Sequence, residues 1–429
     1  MSPQRPRLVI IGAGLVGLST AWHAIRRWPD LELVVVDKER RVAQHQSGRN
    51  SGVVHSGVYY TPGSAKAQHC LEGRTWLRRF CEARGIPWDT CGKVVVAAED
   101  DERAQLAKIA ERAAANGVDA TLVGPERLVE IEPHVHGVEA LHVPGAAITD
   151  YVAICRALCD DIEAAGGQLR LGVQVDGVAS SGRGVTVTTS AGPIHAAHAV
   201  NCAGLYSDRL APKGSGPDTI RIIPFRGEYF TLKSRSEHLC RGLIYPVPDP
   251  RFPFLGVHLT RRIDGRVDLG PNAVLATARE GYARSRFDFG DFVDAWFWPG
   301  MVRVGLRHLG VGLREFARSG SRTAFATAAQ RLVPEVKAED LDAAPSGVRA
   351  QAITRDGQLV DDFAFADQRG ATHVLNAPSP AATSSLSIGA ALCDRFAATF
   401  DAAITRDDTF ELASDAAWEP ASSRGIESI

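Results

Sequence analysis

The chain has 429 residues, 45% of them hydrophobic and 23% charged, with a formal net charge of −2. Its length exceeds what one core usually fills, so two domains are expected, and its near-neutral balance excludes a basic nucleic-acid binder. No apolar run is long enough to span a membrane, and the opening residues lack the pattern of a secretory leader.

Leu8 to Ile11 read as a buried strand. Gly12, Gly14 and Gly17 follow in G-x-G-x-x-G spacing and open a helix, and a second apolar run, Leu31 to Val36, ends at Asp37. This is the dinucleotide-binding fingerprint. Gly12 allows the tight turn, Gly14 lets a pyrophosphate approach the backbone, and Gly17 lets the helix pack close to the strand. The free amides at the helix start favour the pyrophosphate charge, and Asp37 can accept from ribose hydroxyls. Leu15, Val16 and Lys38 flank these positions and belong to the same cofactor-binding set.

A Gly-, Ser- and His-rich segment follows, too polar for a core element, then a helix over Ser64 to Arg84. A strand is expected over Lys93 to Ala98, helices over Glu99 to Asn116 and Glu126 to Glu132, and a helix from Thr149 to Ala165 with Thr149 or Asp150 as N-cap. Cys155 and Cys159 fall one turn apart, a core-packing spacing; the eight cysteines show no C-x-x-C and fit a reduced, cytoplasmic setting. The thirteen histidines show no H-x-x-x-H pair, so no metal site is expected.

Strands are then expected over Gln168 to Val178, Gly184 to Thr189 and Ile194 to Cys202, the last ending in the small-residue turn Ala203–Gly204. Residues 220–275 read as an antiparallel sheet and residues 320–335 as a helix. Near the end, a strand over Thr372 to Leu375, a small-residue turn and a helix from Thr383 to Thr399 repeat the strand–turn–helix pattern. Residues from about Ala413 onward are polar and are expected to fray.

A nicotinamide dehydrogenase would keep its dinucleotide domain contiguous over about 150 residues. Here sheet-like segments ending in small-residue turns recur near 204 and 376, a discontinuous arrangement that suits the long body of FAD. The expected fold is mixed α/β and α+β: a discontinuous Rossmann-like FAD-binding domain (1–90, 150–215, 345–412), an antiparallel-sheet substrate domain (91–149, 216–344), and a flexible tail (413–429).

Several segments then resemble one family. They are residues 8–39, HQSGRNSGVVHSGVYYTPGS, VNCAGLYSDRLA, PFRGEYFTL, LIYPVPDPRFPFLGVHLT, DLGPNAVLA, SGVRAQA and LNAPSPAATSSLSIG. Together, over about residues 7–400, they look like the L-2-hydroxyglutarate dehydrogenase/oxidase family of D-amino-acid-oxidase-like flavoenzymes. The resemblance implies oxidation of L-2-hydroxyglutarate to 2-oxoglutarate with FAD as cofactor, and a backbone contact from Val175 to the adenine. No Gly-His-Gly occurs before the last helix; Ala381–Ala382–Thr383 stands there instead.

Oxidising a 2-hydroxy acid needs a base, carboxylate anchors and donors at the flavin N1/C2=O edge. His55, in SGVVHSGVYY, is the first choice for the base and His258, in LGVHLT, the second. A five-carbon dicarboxylate calls for cationic anchors; Arg226 and Arg349 are the candidates, with Tyr60 and Tyr245 as hydroxyl donors. Gln44, Ser47, Asn50, Ser51 and Gly52 are expected beside the flavin edge and Ala203 and Gly204 along the cofactor. Thr383, Ser384 and Ser385 open the last helix toward N1/C2=O. Flavin attachment is expected to be noncovalent, with His45, His55 and Cys70 the conceivable points of a bond. Competing readings are a flavin oxidase of another 2-hydroxy acid such as malate, or of an amine or amino acid, and a noncatalytic dinucleotide-binding sensor.

Reduced flavin must pass its electrons to a quinone or to oxygen. Residues 292–318 carry Trp296, Phe297 and Trp298 with Arg303, Arg307, Arg314 and Arg318 at helical spacing. That pattern fits either peripheral contact with the inner face of the cell membrane or a helix with a solvated basic face.

Overall fold

The computed structural model describes residues 5–182, 184–211, 220–248, 256–307 and 321–401. Two large sheets dominate it. In the first, β1 (Arg7–Ile11) lies between β2 (Glu32–Asp37) and His198–Asn201, all parallel. Gln168–Leu171 extends the sheet beyond β2, and Ala371–Asn376 extends it on the other side, where Ala364–Gln368 closes it as an antiparallel edge. A strand buried on both faces needs no polar alternation, which accounts for the unbroken run Leu8, Val9, Ile10.

Helix α1 (Leu15–Arg27) packs on one face with helices Tyr151–Ala164 and Ser385–Asp401, burying Trp22, Trp28, Ile154, Leu158, Phe396 and Phe400 in one cluster. A small antiparallel sheet of Val175–Ser181, Gly184–Thr189 and Ile194–Ala196 covers the other face; its Val185, Val187 and Ile194 meet Val9, Ile11 and Val34.

The second sheet has eight strands, in the order Leu341–Thr354, Ile220–Leu232, Val267–Leu275, His258–Arg261, Leu243–Pro246, Lys93–Ala97, Glu139–Val143 and Thr121–Val123. Its pairing is antiparallel except where Leu243–Pro246 runs alongside Lys93–Ala97. The shared apolar core beneath it includes Val94, Val96, Phe230, Leu259, Phe325 and Val333.

Asp150 is the N-cap of its helix, accepting from the amides of Val152 and Ala153. Thr149 instead donates to the Pro87 carbonyl. Two runs expected as single strands are each divided between sheets. Gly172, at φ +77°, turns the chain after Leu171, so Gln168–Leu171 joins the parallel sheet and Val175–Ser181 the small one. Ala197 makes the same division between Ile194–Ala196 and His198–Asn201. The segment 292–318 is broken rather than continuous: Phe289–Trp296 ends in its own short helix, and residues 299–307 form another. Arg314 and Arg318 lie outside the described residues.

Candidate active site

A cavity of about 1240 Å³ opens at the carboxyl ends of the parallel strands and runs to the face of the eight-stranded sheet. This is where open α/β sheets place their ligands. Its first end is built by the glycine turn. Gly12 holds φ +109°, and a Cβ there would lie 2.4 Å from the Cys202 carbonyl oxygen. At Gly17 a Cβ would lie 2.0 Å from the Gly12 oxygen, so helix α1 can sit down on the turn only without a side chain. Gly14 differs: a Cβ would meet only the Ser47 hydroxyl, at 3.0 Å, so the space above it is kept for a ligand. Leu15, Val16, Lys38, Val175, Ala203 and Gly204 line the same end. These groups fit a dinucleotide.

Two expected polar contacts already hold protein groups. Asp37 accepts from the Ala13 amide at 2.7 Å and the Glu39 amide at 2.8 Å while still facing the cavity. Ser47 accepts from the Leu15 amide at 2.9 Å, supplying the cap that Gly14 cannot. Gln44, Asn50 and Ser51 line the wall beside them. Gly52 does not; at φ +76° it turns the chain, its amide bound to Asn50 and its carbonyl to Thr149.

Lys38, Glu39, His45 and Glu280 form an ion-pair cluster at the rim. The Lys38 ammonium lies 2.6 Å from Glu280, and His45 Nδ1 is 2.7 Å from the Tyr282 hydroxyl.

The far end gathers His55, Tyr60, Tyr245, His258 and Arg349. His55 is held twice: its amide donates to Thr383 Oγ1 at 3.0 Å, and Nε2 lies 3.0 Å from Ser379 Oγ. The His258 Nδ1 lies 2.9 Å from the Gly256 carbonyl, which can only accept, so the proton sits on Nδ1 and the Nε2 lone pair is free of it. The His258 ring lies on Tyr245 with centroids 4.1 Å apart. Burial pushes both imidazoles down to about 3, helped by the positive charges of Lys93 and Arg349, so each is neutral near pH 7. Cys70 is also buried and its thiol is pushed up to about 12, which leaves it un-ionised.

Arg349 reaches the cavity; Arg226 does not. The Arg226 guanidinium is buried against Glu228, with Nη2 3.1 Å from the carboxylate and Nε 3.2 Å, and Arg284 holds the same carboxylate from outside. Two residues apart on one strand, Arg226 and Glu228 share a face, and the charge is satisfied within the protein. The last helix also differs from expectation. It starts at Ser385, and the cavity wall is the preceding turn, Pro378 to Ala382. Thr383, Ser384 and Ser385 are fully buried behind that wall, where Thr383 serves His55 and Tyr151.

Sequence reasoning missed Lys93 and Tyr59. Lys93 opens the otherwise apolar strand KVVVA, and its ammonium lies over the rings of Tyr59 and Tyr245 at 4.9 and 4.4 Å. The signal was a charged residue leading a run with no polar alternation. Ser379, in the SPA turn, was missed because a lone serine carries no pattern.

Comparison with known proteins follows the same lines. A family model described as FAD dependent oxidoreductase matches residues 7–395. An L-2-hydroxyglutarate dehydrogenase of Indibacter alkaliphilus is 45% identical over 90% of this chain and 98% of its own. A mitochondrial L-2-hydroxyglutarate dehydrogenase of Nematostella vectensis is 44% identical over 92% and 91%. In fold, the chain resembles the FAD-bound L-alpha-glycerophosphate oxidase of Mycoplasma pneumoniae, with a TM-score of 0.75 at 20% identity, covering 95% of this chain and 97% of that one. FAD is therefore the dinucleotide that the glycine turn serves, and the chain belongs to the FAD-dependent oxidoreductase family, among the L-2-hydroxyglutarate dehydrogenases.

Proposed function

We propose that the protein oxidises L-2-hydroxyglutarate to 2-oxoglutarate, with His55 as base and Arg349 as anchor for the carboxylate beside the reacting carbon. One observation carries the site assignment: two neutral imidazoles, half-buried His55 and buried His258, share a cavity with a cationic side chain, and that cavity continues into the glycine-turn groove. FAD, when bound, supplies the two-electron acceptor at flavin N5. With Nε2–H donating to Ser379, the other ring nitrogen of His55 takes the proton of the substrate hydroxyl as the hydride leaves the same carbon. Arg349 offers a planar fork to the carboxylate and stabilises it better than a flexible ammonium would. Tyr60 and Tyr245 add hydroxyl donors to the wall, and His258, stacked on Tyr245, keeps that ring in place.

The test is spectroscopic. Purified protein should be yellow, and L-2-hydroxyglutarate should bleach it without oxygen, whereas malate and amino acids should not. A yellow protein that the diacid leaves unbleached would overturn the reading.

For the outgoing electrons, a membrane quinone is the better-supported acceptor. Phe289, Phe297 and Leu306 are 72%, 70% and 76% exposed, and Trp296 and Val302 lie among them, while Trp298 turns inward and donates to the Ile353 carbonyl. Such a cluster of exposed apolar side chains beside Arg303 and Arg307 suits an anionic lipid surface. Among the described residues no helix is long and apolar enough to cross a membrane. Quinone-dependent turnover should be retained by washed membranes and lost in Phe297→Asp; equal oxygen-driven activity in soluble and membrane fractions would count against it.

A further inference from the structure

Lysine is rarely buried without a carboxylate, because an ammonium removed from water loses its solvation unless an anion replaces it. Lys93 is 2% exposed, and among the described residues no carboxylate pairs with it. Strand alternation puts it on the face of Val95 and Ala97, in the core cluster that also holds Tyr59 and Tyr245. The Tyr59 hydroxyl is buried at the cavity wall with no hydrogen-bond partner. A cation with no carboxylate, packed behind the Tyr59 and Tyr245 rings that line the cavity, and an idle donor at the wall thus stand side by side. Both are costs to folding that a bound anion would offset.

We propose that Lys93 is the specificity-determining cation for the substrate's second carboxylate, the one remote from the reacting carbon, with the Tyr59 hydroxyl as its hydrogen-bond donor. This rests on the dicarboxylate reading above, and it says why a diacid is selected over a monoacid of equal length. The chemistry is binding only. The ammonium supplies charge from behind the two tyrosine rings, and the Tyr59 hydroxyl, otherwise unbonded, meets the oxygen.

The groups around Lys93 leave its charge to the ligand. Tyr59 and Tyr245 are held protonated by burial, as are the Cys70 and Cys91 thiols, and His55 and His258 are neutral. The remaining charged neighbours, Arg74 beyond Cys70, Arg349 across the histidines, and Lys66 over the Tyr60 ring and paired with Asp361, are themselves positive. Burial brings Lys93 down to about 8, so it is mainly protonated at neutral pH and loses its charge as pH rises through that value.

Two measurements test the proposal on the FAD-loaded enzyme. In the first, Lys93→Met is compared with wild type on L-2-hydroxyglutarate and on L-2-hydroxypentanoate, which carries a methyl group in place of the remote carboxylate. The diacid should lose about 30-fold or more in kcat/KM, mostly through KM, and the monoacid less than about threefold. Equal losses on both substrates, or no loss on the diacid, would overturn the assignment. Should Lys93→Met fail to fold, Tyr59→Phe is put through the same pair, with a smaller loss, about tenfold, confined to the diacid. In the second, calorimetry follows glutarate binding to wild type from pH 6 to 9.5. Affinity should fall as pH rises past about 8 and approach a tenfold loss per unit; a flat profile refutes the role of Lys93. Wild type that binds glutarate in this way but is not bleached by L-2-hydroxyglutarate would refute the proposed reaction and leave the cation assignment standing.

Discussion

His55, Arg349 and Arg226 show how one change of environment separates a reactive group from a structural one. His55→Ala should slow anaerobic bleaching by about two to four decades; a loss below tenfold in stopped-flow would transfer the base to His258. Because burial and nearby positive charge hold His55 near 3, it is already neutral at pH 5. The kcat/KM of flavin reduction should therefore stay level from pH 7 to pH 5, and a descending acid limb centred near 6.5 would contradict so depressed an imidazole. Arg349→Ala should raise KM and reduce kcat/KM by the equivalent of about 2–5 kcal/mol. Arg226→Ala should do the opposite: KM unchanged, thermal midpoint lowered, because buried Glu228 loses its buried guanidinium partner. That outcome was within reach of the sequence. In a strand, residue i+2 shares the face of residue i, and Glu228 stands two residues after Arg226. No such rule could find Ser379, whose hydroxyl matters only because the chain brings it back, 324 residues later, to His55.

At the scale of elements, the β1–turn–α1–β2 unit was readable because each of its demands is local. The three glycines do different work, and substitution should separate them. Gly14→Ala should fold normally and bind FAD at least about tenfold more weakly, since its new methyl enters only ligand space beside Ser47. Gly17→Ala should fail to accumulate as folded protein, since its methyl would fall on the Gly12 carbonyl. Melting curves and flavin titrations of the two variants check both. Boundaries were harder where an element changes partners without changing composition. Residues 168–178 and 194–202 each read as one continuous strand, yet Gly172 and Ala197 divide each between two sheets. A strand's pattern records that it is half buried, not against which sheet. For the same reason the sequence could bring Thr383–Ser385 toward the cavity but not behind its wall, because one turn of helix decides the difference.

Across the whole molecule, buried histidines outside the cavity set the acid limit of stability. His23 is held down to about 3, and His198 and His373 to about 4, by burial within the parallel-sheet layers. Their folded values lie below the unfolded value near 6.5, so the unfolded chain binds more protons below that pH. Stability should be undiminished at pH 7 and fall as pH drops from about 6.5 toward 4, each histidine contributing up to about 1.4 kcal/mol per pH unit. Thermal melts across that range check the sign. Midpoints that rise on acidification would show these imidazoles to be charged in the native state.

The order of strands in the parallel sheet has a further consequence. β1 and β2 leave the ribosome within the first 37 residues, but His198–Asn201, their neighbour, comes far later, and Ala371–Asn376 later still. The early strands must wait, exposed and adhesive, while most of the message is read. Cofactor capture is then a terminal event of biosynthesis, and a polypeptide arrested before residue 371 should emerge colourless and in the keeping of chaperones.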